Sequence, residues 1–366
     1  MSLSHHLVRG VVVSVAVALL TPVGVLAADE PLPGPPAGGS VKQQQAVTKP
    51  GGSPVASGAV TRDPAVDTVE PPSPGEHPVP LNPHKPLPAK SGGNKGVGKA
   101  AADRFSPNYM FYRGGYVQTA PRVYIVYWGD WSLANDPYNV QNQLYYFLRG
   151  VGGSNWNKTA TQYGQGCTTG TYNCGSGATF ITNPANQLQN YWKDNSYVPL
   201  TPTDADLKRE AVRAAQYFGD YGYNAQYVIA VARGHDPDGF VTKRSTGSYC
   251  AYHWWTSAGS STISFTNLPY MPDAGNGCWN RSITGNILDG VSIVEGHEYN
   301  ESITDPFGNG WNDASGMTGE SGDKCAGAAS AGYDRLMQFS TGSFPVQSVW
   351  SNYHKYWYGD GCAFWF

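Results

Sequence analysis

Residues 28–102 contain no Phe, Trp, Tyr or Cys and are dense in Pro, Gly, Ser, Lys and Val. A segment without large apolar side chains cannot bury enough surface to offset the entropy of ordering it, so 28–102 reads as a disordered linker or pro-segment and not as a domain. The absence ends abruptly. All 12 Phe, 11 Trp and 24 Tyr, and all six Cys, lie between Phe105 and Phe366. This shift marks a single folded domain over 103–366. Charge is also scarce, at 14% of residues with a net charge of -3, which gives no reason to expect nucleic-acid binding. No apolar run after residue 27 is long enough to span a bilayer. The one apolar run, VVVSVAVALLTPVGVLA after MSLSHHLVRG, is interrupted by Pro22 and Gly24 and ends in small residues at Ala27. That pattern reads as a secretory signal peptide over 1–27, which implies a secreted protein with no membrane association once the signal is removed.

No two cysteines have the two-residue gap of a zinc ribbon, so the six read as disulfides formed in an oxidising compartment. Fifteen connectivities are open to six cysteines. Neighbour pairing, Cys167 with Cys174, Cys250 with Cys278 and Cys325 with Cys362, is the expectation.

Between Glu295 and Asp323 stand seven acids and no Lys or Arg. Carboxylates crowded into a folded segment repel one another, and each buried one has to be hydrogen-bonded, protonated or bound to a cation. Within that run, His297-Glu298-Tyr299-Asn300-Glu301 is a zinc-peptidase helix motif with glutamate in place of the second histidine. Positions four apart share a helix face, so His297 and Glu301 can grip one ion while Glu298 stands beside it as a general base. Glu320 or Asp323 would supply the third ligand. Zinc is the expected ion; a carboxylate in place of imidazole shifts preference toward harder cations, and calcium held by Asp305, Asp313, Glu320 and Asp323 is the alternative. The plainer reading is an ordinary helix decorated with acids, against which the apolar lead-in of Ile287, Leu288, Val291, Ile293 and Val294 argues for burial.

The patterning around the motif predicts an α/β (α+β) domain. RVYIVYW at 122–128 reads as a central strand, 139–150 as an amphipathic helix ending in glycine, and 226–232, 249–256 and 262–268 as further strands. Thr203-Asp204-Ala205-Asp206 is a helix start for a segment reaching Phe218. The motif helix is expected over 284–303, and a closing strand over 344–350. Strands first, then a buried helix bearing the acids, is the order of a zincin-like domain, a mixed sheet packed on helices and stabilised here by disulfides. His253, on a strand before the motif helix, is the candidate second donor to an oxyanion; the plainer reading is a core histidine bonded to backbone. His235 and His354 are weaker candidates, and Asp305 is expected to bond a ligand or cap the turn at Pro306.

The pieces HEYNESITDP, GESGDKC and FPVQSVWSN, with YCAYHWWT and VYIVYWGDWS before them, resemble the phosphate-induced, Exordium-like family of secreted proteins across most of 105–366. In that family a His-Glu-x-x-Glu helix is followed by a Gly-Glu-x-x-Asp-x-Cys segment and a Gln-x-x-Trp strand. The resemblance maps these onto His297, Glu298 and Glu301, onto Glu320, Asp323 and Cys325, and onto Gln347 and Trp350. It implies a cell-wall-associated extracellular protein and leaves the reaction open. The chain also resembles, in part, the thermolysin-like zinc peptidases, whose third ligand is a glutamate roughly twenty residues downstream, where this chain has Glu320. Three functions follow as expectations: a secreted metallopeptidase acting on protein or peptide, a calcium- or polysaccharide-binding cell-wall module, and a metal-free acid peptidase built on paired carboxylates.

Overall fold

The computed structural model describes residues 109–237, 240, 249–313, 319–326 and 334–366. The expected signal peptide and Pro-rich segment lie outside the described residues. The described chain forms a mixed five-stranded sheet with helices on both faces. Its strands are β1 (Arg122–Trp128), β2 (Leu188–Asp194), β3 (Ala225–Val231), β4 (Tyr252–Ala258) and β5 (Ser261–Leu268). Their order across the sheet is β2-β1-β3-β5-β4. The first four in that order run parallel, and β4 returns antiparallel to β5 as an edge strand.

Successive side chains of a strand point to opposite faces, and this alternation builds two cores. On one face Tyr124, Val126, Tyr227, Ile229, Tyr252 and Phe265 pack with Leu207, Ala211 and Ala214 of α2 (Asp204–Phe218). On the other, Val123, Ile125, Val228 and Leu268 pack with α1 (Val140–Val151) and α3 (Asp289–Thr304). Because β1 and β3 are buried on both faces, they read as near-continuous apolar runs. Helix α2 begins with the expected cap: Thr203 and Asp206 exchange side-chain and backbone hydrogen bonds.

Helix α3 carries the histidine motif, and all of its residues are buried. The sheet covers one side. The hairpin of β6 (Asp334–Phe339) and β7 (Gly342–Gln347) covers the other, with Ser292 Oγ donating to the Pro345 carbonyl at 2.6 Å. The disulfides are Cys167–Cys174, Cys250–Cys278 and Cys325–Cys362, the neighbour pairs. They fit an extracellular protein. Among the described residues no helix is long and apolar enough to cross a membrane.

Three expectations need correction. The motif helix starts at Asp289 and not at 284, because the Asp289 carboxylate accepts the backbone N–H groups of Ile283 and Thr284 and holds them in a turn. The closing strand stops at Gln347 and resumes as a separate pair, Val349–Trp350 with Cys362–Ala363. Strand β2, LQNYWKD, was not anticipated; as an edge strand it is largely open to solvent and has no apolar alternation to reveal it.

Candidate functional site

One helical turn separates His297 from Glu301, and the fold brings two further segments to meet them. The first is β4, which carries His253 on the face turned toward α3. The second is the turn Asp323–Cys325, held by the Cys325–Cys362 disulfide and by a buried ion pair between Lys324 and Asp313, with the Lys324 ammonium 4.1 Å from the Trp350 ring centroid. Two groups result, and they share Glu301. His297, Glu301 and Asp323 form one, and His253, Glu298 and Glu301 the other; within each, one potential ligand atom per residue lies within 4.8 Å of the rest.

In the first group, His297 Nε2 stands 3.2 Å from Glu301 Oε1 and 3.3 Å from Asp323 Oδ1. The other ring nitrogen decides what this means. Gln347 donates its amide N–H to the Gly322 carbonyl at 2.7 Å, which turns its Oε1 toward His297 Nδ1 at 3.3 Å. An acceptor at Nδ1 places the proton there, so in the neutral ring the Nε2 lone pair faces two carboxylate oxygens. That arrangement repels unless a proton on Nε2 or a bound cation supplies positive charge between the three atoms. The same demand appears as a pKa: burial opposes charge on His297, yet Glu301, Glu298 and Asp323 together raise it well above the ordinary value. Glu301 Oε1 also accepts the Asp323 N–H at 2.9 Å, which ties the turn to the helix.

In the second group, Glu298 Oε2 accepts the His253 backbone N–H at 2.9 Å and lies 3.4 Å from His253 Nδ1. Glu301 Oε2 is 3.3 Å from the same nitrogen. His253 Nε2 faces the Asp305 carbonyl at 3.3 Å and Glu320 Oε1 at 3.9 Å. Burial would lower the His253 pKa, but its bonds to Glu298 and Glu301 outweigh that and raise it to about 9. His253 is 1% exposed, and Asp323, the most open of the six sequence candidates, is 9% exposed.

All six candidates therefore converge around one turn of α3. Asp323 meets His297, whereas Glu320 lies beside His253. The Asp305 carboxylate accepts from Gly310 N at 2.6 Å and Asn312 Nδ2 at 3.0 Å, which closes the turn after the helix. His235 and His354 stand elsewhere: His235 Nδ1 is 2.8 Å from the Pro199 carbonyl, and the His354 ring is tilted against Tyr358 and edge-on to Trp365.

Two neighbouring acids had no role in the sequence reading. Glu295 is fully buried with neither carboxyl oxygen hydrogen-bonded among the described residues, and burial, then the charge of Glu298, raises its pKa well above the ordinary value. Asp334 is pushed up to about 6 by burial, moderated by a bond to Trp279 and by the attraction of His297. Glu295 was visible in the acid run; Asp334 belongs to no motif, and only the fold of the β6–β7 hairpin over α3 brings it near. Compared with protein-family models, curated proteins and solved structures, the chain matches none.

Proposed function

We propose that this protein is a secreted, metal-dependent hydrolase of the metallopeptidase type on a zincin-like domain, and a relative of the Exordium-like proteins. The observation that carries the reading is the buried cluster in which His297 Nε2 faces the carboxylates of Glu301 and Asp323 at 3.2 and 3.3 Å. A histidine nitrogen whose proton is held on the opposite side of the ring, with two carboxylates in front of it, is a donor set suited to zinc. His297, Glu301 and Asp323 would hold the ion, with Gln347 behind the imidazole. The calcium alternative loses support because two of its acids are engaged otherwise, Asp313 by Lys324 and Asp305 by Gly310 and Asn312. The layout of the domain, a mainly parallel sheet with an antiparallel edge strand packed against the motif helix, supports the zincin-like reading.

A bound zinc ion would supply Lewis acidity toward a peptide carbonyl and acidify a water molecule. In this reading Glu298, beside Glu301 on the same helix and bonded to the His253 N–H, would take up the proton. His253 was expected as a donor to the oxyanion. Its Nε2 instead faces the Asp305 carbonyl, and its Nδ1 and backbone N–H face Glu298 and Glu301, so it acts as a positioning residue for those carboxylates.

The test is elemental mass spectrometry on the full-length protein purified from export without added metal. About one zinc per chain is expected, lost in His297→Ala and Asp323→Ala and kept in Glu298→Gln, which in turn loses peptide hydrolysis. Stoichiometric calcium, or chelator-resistant activity at acid pH, overturns the zinc mechanism in favour of the calcium module or the paired-carboxylate peptidase.

A further inference from the structure

Edge strand β4 continues beyond His253. Two residues on, about 7 Å further along the strand, Trp255 stacks on Trp254 at 5.9 Å between ring centroids and lines an open cleft of about 550 Å³. Tyr116, Tyr221, Tyr223 and Phe307 form the rest of its aromatic wall, and Ser261, Thr262 and Asn309 contribute hydroxyl and amide groups. Tyr116 packs against Tyr223 at 4.9 Å between ring centroids and edge-on against Phe307 at 6.0 Å, which makes a continuous ring surface. Tyr116 and Tyr221 are 49% and 39% exposed although they are large aromatics. The Trp255 indole nitrogen has no hydrogen-bond partner among the described residues.

Among the described residues no Asp, Glu, Lys or Arg lines this cleft. A phosphate, a nucleic acid or a charged side chain would lose its hydration there and find no counter-charge. The lining suits a ligand that is flat and apolar on its faces and rich in hydroxyls around its rim. Pyranose rings have that form: their C–H faces lie on aromatic rings, and their hydroxyls exchange hydrogen bonds with Ser, Thr, Tyr and Asn. The volume falls in the range of ligand-binding clefts and exceeds what a single small side chain would fill. A peptide backbone, by contrast, offers one donor and one acceptor per residue at fixed spacing, and the rings of Tyr116, Tyr221, Tyr223, Trp255 and Phe307 present faces that pair with neither.

We propose that the cleft formed by Tyr116, Tyr221, Tyr223, Trp255 and Phe307 binds a neutral, pyranose-based glycan beside the buried histidine and acid cluster. The site does not depend on an ion. It gives the protein a means of holding itself on a polysaccharide.

Isothermal titration calorimetry of the full-length protein with cellohexaose, laminarihexaose, xylohexaose and mannohexaose tests this, with a galacturonic acid hexamer as charged control. A synthetic peptide of residues 71–90, PPSPGEHPVPLNPHKPLPAK, serves as the peptide control. At least one neutral hexasaccharide is expected to bind, before and after chelator treatment alike. Tyr221→Ala and Thr262→Val, each checked for an unchanged melting temperature, are expected to weaken binding by about ten-fold or more. No neutral glycan binding, equal affinity in both variants, or preference for the Pro-rich peptide overturns the proposal. Glycan binding retained by chelated protein that also held no zinc when purified would leave the cleft in place and remove only the metallopeptidase reading.

Discussion

Gly322 shows how tightly the residues around the histidine are placed. A Cβ on it would lie 2.8 Å from His297 Cγ and 2.9 Å from Nδ1, so the ring can sit where it does only because position 322 has no side chain. Gly322→Ala is expected to cost about 1–3 kcal/mol of stability, as overpacking does, and to turn His297 away from Asp323. Urea denaturation and zinc content measured on the same samples check both effects; unchanged zinc with full stability would contradict the packing argument. Gln347 would act on a bound ion without touching it, through the His297 ring. Gln347→Leu keeps the bulk and removes the acceptor that holds the proton on His297 Nδ1, so zinc affinity is expected to fall by roughly 10- to 100-fold, measured by competition with a chelator. A loss of folding without that fall in affinity would make Gln347 structural only.

At the scale of elements, α3 explains what could be read from the sequence. The spacing of His297, Glu298 and Glu301 was legible because a helix fixes which residues share a face, whatever surrounds it. The partners that complete the cluster were legible only as candidates. His253 comes from a strand edge, Asp323 from a turn and Gln347 from the end of a hairpin, and no local pattern says that these meet. The choice between Glu320 and Asp323 is of this kind: three residues apart in one turn, they approach different histidines. Strand β2 escaped because an edge strand with a solvated face needs no apolar alternation. The Asp323 turn is held by Lys324, fully buried against Asp313 and over Trp350. Burial lowers the Lys324 pKa, and the charge of Asp313 opposes that. Lys324→Met strands a buried carboxylate and is expected to destabilise by about 3–5 kcal/mol, whereas Lys324→Met with Asp313→Leu removes both charges and recovers much of the loss. Equal stability of the single and double variants in denaturant titrations would show that the pair is uncoupled.

For the whole molecule, the question is how stability responds to pH apart from the histidine cluster, and the opposite face of the sheet isolates one group. Glu210 of α2 is 1% exposed, with Arg213 at 2.6 Å, and Arg213 also reaches Asp194 at the end of β2 at 2.7 Å. Burial raises the Glu210 pKa from 4.5 to about 8, with the bond and charge of Asp194 adding to it and Arg213 opposing it. In the unfolded chain Glu210 gives up its proton near pH 4.5, while the folded chain keeps it to about pH 8. Across that window the folded state binds more protons than the unfolded state. Stability therefore falls as pH rises from 4.5 to 8, by at most about 1.4 kcal/mol per pH unit from this one group, and levels off above. Asp194 has its pKa lowered and titrates below the window, so it does not offset the fall. Glu210→Gln stays neutral throughout and lacks this slope. Its stability relative to wild type is expected to rise steadily between pH 5 and pH 8 and then stay constant to pH 9, as read from urea midpoints at each pH. The other buried acids, Glu295, Asp305 and Asp334, are common to both proteins and cancel in the difference. Parallel curves across the whole range would mean that Arg213 keeps Glu210 ionised, and that the face of the sheet away from the cluster contributes no pH dependence.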